Sequence, residues 1–90
     1  MKQITAVHMV GGEQHEHIAE VQYRELPNGP IKRASRADMV AHVDSYPNDV
    51  VVHHGGRTVG VMSVHEPHVS YIRTHADGYF NDNLLALPRY

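Results

Sequence analysis

Ser35-Arg36-Ala37-Asp38-Met39-Val40-Ala41-His42-Val43-Asp44-Ser45-Tyr46-Pro47 is the stretch on which the fold turns. Ser35 followed three residues later by Asp38 fits a helix start: the hydroxyl accepts from an early backbone N–H, and the acid favours the positive end. Met39, Val40 and Val43 form an apolar stripe flanked by Ala37 and Ala41. Asp38, His42 and Asp44 fall mainly outside it. Pro47 forbids continuation. A helix of about ten residues is too short to stand alone and must pack on a sheet.

The sequence on both sides supplies that sheet. Gln3 to Val10 alternates and is β-rich, and Gly11-Gly12 opens a connection. His17 to Leu26 alternates again, with Ala19, Val21 and Tyr23 on one face and Glu20, Gln22 and Arg24 on the other. The two runs predict a β-hairpin, closed off by Pro27-Asn28-Gly29-Pro30. Beyond the helix, Val50 to His54, the Gly55-Gly56 turn and Thr58 to His65 predict a second hairpin. Pro67 breaks the chain, and Val69 to Ala76 reads as a fifth strand. The tail then carries Asp77-Gly78, Asn81-Asp82-Asn83 and the apolar run Leu84-Leu85-Ala86-Leu87 before Pro88. The turn chemistry predicts that Leu84, Leu85 and Leu87 fold back onto the sheet. The expected architecture is α+β: an antiparallel sheet of about five strands, one helix packed on it (β-β-α-β-β-β) and a docked C-terminal segment.

Ninety residues make one domain, spanning 1–90. Folding at this size buries roughly 60–65% of the unfolded chain's surface, enough for one modest core. A site is therefore expected to be shallow or shared between subunits. The net charge of −2 provides no global basic field to attract nucleic acid or an anionic membrane. The absence of cysteine excludes disulfides and thiolate zinc sites and fits a cytoplasmic protein. The N-terminal apolar run is broken by Thr5 and His8, so it does not read as a signal peptide. No apolar stretch approaches the ~20 residues of a membrane span.

The segments Ile4-Thr5-Ala6-Val7, Gly11-Gly12 with His15-Glu16-His17-Ile18, and Ser35-Arg36-Ala37-Asp38-Met39-Val40 carry a resemblance, as does the tail from Tyr71-Ile72-Arg73-Thr74 through Ala76-Asp77-Gly78 to Asp82-Asn83-Leu84-Leu85-Ala86-Leu87-Pro88. Together they resemble the family catalogued as DUF3892, small stand-alone bacterial and phage-type proteins. That resemblance implies no reaction, cofactor or catalytic residue.

Nine histidines are spread along the chain. His15 and His17, two apart on an extended strand, would share a face and could hold zinc or another divalent metal, with His65, His68 or His75 as possible third ligands. Glu20 has the wrong strand parity to complete the set, and no third ligand is spaced for it. The simpler role is hydrogen bonding in a hairpin turn, so no cofactor is predicted. Asp77, Asn81, Asp82 and Asn83 suit a loop that turns the tail, and with Arg73 they are candidates for partner or ligand binding. Lys32, Arg33 and Arg36, with Arg24 on the preceding strand, gather at the loop-to-helix junction and are candidates for anion binding. Glu25 and Asp38 dilute that cluster, which argues against nucleic acid. No serine lies in a Gly-x-Ser-x-Gly elbow and neither Gly-Gly pair opens a P-loop.

The expected function is a small non-catalytic interaction module with an unidentified protein partner, with self-association as a homodimer through a sheet edge. A histidine-based metal protein or metal-dependent enzyme, and a nucleic-acid-binding protein, are the alternatives.

Overall fold

The computed structural model describes residues 1–54, 56–74 and 84–90. Among these residues, three strands precede the helix and three follow it. They are β1 (Lys2–Met9), β2 (Ile18–Glu25), β3 (Ile31–Ser35), α1 (Arg36–Ser45), β4 (Val50–His54), β5 (Arg57–His65) and β6 (Ser70–Thr74), with a 3-10 turn at His15–His17. They form one sheet in the order β3-β2-β1-β4-β5-β6.

The α+β class and the single packed helix match the sequence reading. Two details differ. The first is an additional strand, β3, in a segment that reads as a loop. Ile31, Lys32, Arg33 and Ser35 are all exposed, so no alternation of buried and exposed residues betrays the strand. Backbone pairing to β2 defines it instead, from Glu20↔Ser35 to Arg24↔Ile31. The second is that the sheet is mixed. Two antiparallel steps leave β3 running parallel to β1, and α1 returns the chain across the face. β4 therefore enters parallel to β1, with Lys2↔Val50 and Ile4↔Val52 paired. Every other strand pair is antiparallel.

Ser35 caps α1 as its sequence predicts: the Asp38 N–H donates to the Ser35 hydroxyl at 3.1 Å. The helix buries Met39, Val40 and Val43, the predicted stripe. They meet Ile4, Val7, Val21, Val50, Val52, Val61 and Ile72 of the sheet in one core. Ile4 and Val7, three apart, share a face because the register of β1 slips between Ile4 and Ala6. Each such side chain contributes about 1.5–3 kcal/mol on full burial. The helix lies chiefly against β5 and β6, and β6 also touches the 3-10 turn, so the sheet curls around the helix.

The tail is docked, as expected. Leu84 is fully buried and Leu87 nearly so. β4 occupies the edge of β1 only from Lys2 to Ile4, and the tail takes the next stretch. The Val7 N–H donates to the Pro88 carbonyl at 3.0 Å, and the Tyr90 N–H donates to the Val7 carbonyl at 3.2 Å. Backbone groups that β4 leaves open are thereby satisfied. The expected turns at Asp77-Gly78 and Asn81-Asp82-Asn83 lie outside the described residues.

Both glycine turns have a local explanation. Gly11 adopts φ +82° and Gly56 φ +77°, backbone that other residues rarely take. At Gly12 a Cβ would come within 2.6 Å of the His17 ring.

Candidate functional site

The predicted basic cluster falls on the edge of the sheet rather than in a loop. Among the described residues β3 pairs with β2 alone, so alternate N–H and C=O groups of its five residues face away from the sheet. Ile31 is 54% exposed there, a large apolar side chain open to solvent. Its register opposite Arg24, and that of Arg33 opposite Gln22, put both on the face away from the helix. Lys32, opposite Tyr23, lies on the helix face.

The four basic side chains of this end have different surroundings. Arg33 sits with its guanidinium 5.7 Å from the centre of the Tyr90 ring. Arg24 donates to the Gln3 amide oxygen at 3.3 and 3.4 Å. Arg36 donates to the Glu16 carbonyl, which ties the start of α1 to the 3-10 turn. Lys32 is exposed and makes no ion pair among the described residues. One end of the molecule thus presents an open strand edge with Ile31, Lys32 and Arg33 exposed on it and Arg24 and Arg36 alongside. The arrangement can add a strand, with main-chain bonds giving affinity and side chains setting preference.

Tyr90 crosses the same outer face. Its hydroxyl donates to Glu20 Oε1 at 2.8 Å and its ring lies 5.5 Å from that of His8. Burial first, and the bond to Glu20 second, push the phenol up to about 12. The tail therefore supports β1 and β2 from the side, next to the open edge.

His15 and His17 are not on an extended strand. They occupy the 3-10 turn, where residues two apart do not share a face. The His15 ring stacks 6.4 Å from Tyr71, whereas the His17 ring packs against Gly12 and accepts from the Gln14 N–H at 3.2 Å. Each ring is thus engaged by a different part of the chain. No group of three or more His, Cys, Asp or Glu side chains converges among the described residues. Arg73 is exposed on β6 and donates to the Thr74 carbonyl at 3.4 Å. Asp77, Asp82 and Asn83, with Asn81 and His75, lie outside the described residues.

A second cluster, not anticipated from the sequence, joins the end of α1 to β5 and β6. Asp44 accepts from Ser63 and, at 3.0 Å, from His65 Nε2. The other ring nitrogen, His65 Nδ1, lies 2.9 Å from Ser70 Oγ. The bonds from His65 first, and from Ser63 second, hold the Asp44 carboxyl below its ordinary 3.8. His65 and Ser70 pair directly across the β5–β6 turn. Their placement on either side of the Pro67 turn is the signal that sequence reading could have used. A shallow depression of about 250 Å³, lined in part by Val43, Pro47 and Met62, adjoins Asp44 and Ser63. Past the same end of α1, Asp49 accepts from His42 at 2.9 Å, which lowers the Asp49 carboxyl.

The chain belongs to the family described as "Protein of unknown function (DUF3892)", whose model matches residues 3–88. No curated protein and no solved structure matches it. Among the described residues, no helix is long and apolar enough to cross a membrane.

Proposed function

We propose that this DUF3892 domain is an interaction module that captures an extended, acidic segment of a partner protein by adding it as a strand beside β3. The observation that carries this reading is the open edge of β3, with Ile31 54% exposed and Lys32 and Arg33 exposed beside it. Backbone groups on that edge match any strand, but the cations do not. Pairing β3 antiparallel with itself about its centre would set Arg33 against Arg33. Shifting by one residue toward Ile31 would set Lys32 against Arg33. Like charges directly opposite one another are destabilising, so these two pairings with a second copy are disfavoured. Glutamates or aspartates on one face of an incoming strand would instead pair with Arg33, or with Lys32 when the register moves by one, with Arg24 and Arg36 adding to the field. Nucleic acid would satisfy the charge but supplies no peptide backbone to continue the ladder.

Fluorescence anisotropy with a labelled eight-residue peptide of alternating glutamate and valine tests this. Saturable binding that weakens with salt, and falls roughly tenfold in a Lys32→Glu/Arg33→Glu double variant, is the expected result. Equal binding of a lysine-for-glutamate control peptide would refute it. So would sedimentation showing a dimer that the double variant strengthens or leaves unchanged, with no peptide bound. Retention of single-stranded DNA without peptide binding would replace the reading with a nucleic-acid one.

A further inference from the structure

We infer that Ser70 is an activated nucleophile, with His65 as its base and Asp44 as the group that orients the base, and that it accepts acyl or phosphonyl groups from small activated esters. The site lies on β5, β6 and the end of α1, on the far side of the sheet order from β3, and does not depend on the interaction reading.

The geometry is that of a relay. Ser70 Oγ is 2.9 Å from His65 Nδ1, and His65 Nε2 is 3.0 Å from Asp44. A nucleophile and base within hydrogen-bond reach, with the base held by a third group, is the arrangement that raises the reactivity of a hydroxyl. The protons can be placed. An ionised carboxylate only accepts, so His65 Nε2 carries the hydrogen toward Asp44. In the neutral ring Nδ1 is then left with its lone pair facing the Ser70 hydroxyl. This is the reverse of the more familiar assignment of the two nitrogens, but each nitrogen plays the same part. Asp44 is itself positioned, because Ser63 donates to the same carboxylate. His65 is exposed, its side chain at 54%, and Ser70 is partly exposed, so a small reagent can reach them. The depression beside Asp44 and Ser63, with Val43, Pro47 and Met62 in its walls, offers an apolar rest for a short acyl chain.

The step balances without a cofactor. Ser70 Oγ bonds to the acyl carbon as its proton passes to His65 Nδ1. The ester C–O bond breaks and the leaving alkoxide takes that proton from His65. Water, deprotonated by the same nitrogen, then attacks the acyl carbon; the Ser70 Oγ–acyl bond breaks, the acid leaves, and the proton on His65 Nδ1 passes to Ser70 Oγ. Asp44 stabilises the imidazolium formed in between.

The test uses the whole chain with a fluorophosphonate probe, followed by intact mass and peptide mapping. One adduct per chain, on Ser70, is expected. The labelling rate should fall at least about 100-fold in His65→Ala, within the range that a general base contributes. Asp44→Asn should fall by about tenfold or more. Thermal melting of each variant shows whether it is folded. Should His65→Ala fail to fold, His65→Gln serves, since it keeps hydrogen-bonding capacity but cannot act as a base near neutral pH. An adduct spread over surface histidines, no adduct at Ser70, or equal rates in folded parent and His65 variants would overturn the inference.

Discussion

Replacing Leu84 by Ala tests whether the tail is a structural member of the domain. Leu84 is 0% exposed and belongs to the same core cluster as Val7, Ile72 and Met39. Truncation removes three carbons, worth about 0.8 kcal/mol each, and leaves a cavity that the surrounding strands fill only in part. The expected loss is about 3 kcal/mol. A domain of this size has total stability of roughly 5–13 kcal/mol, so the loss is a large fraction of it. It should lower the melting temperature by about 15 °C. Circular dichroism melts, with urea titration for the free energy, measure this. Ala86 is exposed and provides the control: Ala86→Ser should stay within about 0.5 kcal/mol of the parent. Deleting residues 84–90 should be worse still, because the bonds from Val7 to the tail go with the leucines. If Leu84→Ala melts within 2–3 °C of the parent, about the ~0.5 kcal/mol of an ordinary surface change, the tail is not packed as described.

Other outcomes follow from the same contacts. Ser35→Ala removes the cap bond to the Asp38 N–H and should cost about 1 kcal/mol, a drop of several degrees in melting temperature. Gly29→Ala would bring a Cβ within 2.6 Å of the Glu25 carbonyl and should destabilise by about 1–3 kcal/mol in a urea titration. Asp44 has its folded pKa lowered, so its contribution is in full above the ordinary 3.8 and is lost as pH falls through the lower folded value. Melts below pH 4 should therefore show a shallower acid loss in Asp44→Asn than in the parent. For Tyr90 the sign is opposite: raised to about 12, it should titrate late in an absorbance titration at 295 nm, and Glu20→Gln should bring it down.

The legible parts of the fold were those whose burial follows a period. The helix from Ser35 to Pro47 shows its cap and stripe openly, and the alternation around Val21 and Val61 marks β2 and β5. β3 was not legible, because an edge strand with exposed residues on both faces has no apolar period to read. Its backbone bonds to β2 leave no trace in residue type. The parallel entry of β4 was hidden for a related reason. It depends on how many strands precede the helix, so missing β3 also reversed the expected direction. At the candidate site, the basic residues Lys32, Arg33 and Arg36 were visible as a cluster, but not as the rim of a strand edge. His15 and His17 read as part of an extended segment, but Gly11, Gly12 and the 3-10 turn bend the chain there. The Ser70–His65–Asp44 chain joins residues 26 positions apart, and only the β5–β6 register and the packing of α1 bring them together.

The most direct test of strand capture is amide hydrogen exchange, read residue by residue with NMR, on the free domain and with the glutamate–valine peptide bound. In the free domain, alternate amides of Ile31–Ser35 should exchange fast, because they face away from β2. On binding, those outward amides should become protected while the amides of β6 stay unchanged. Binding without new protection along β3, or protection confined to β6, would contradict the account.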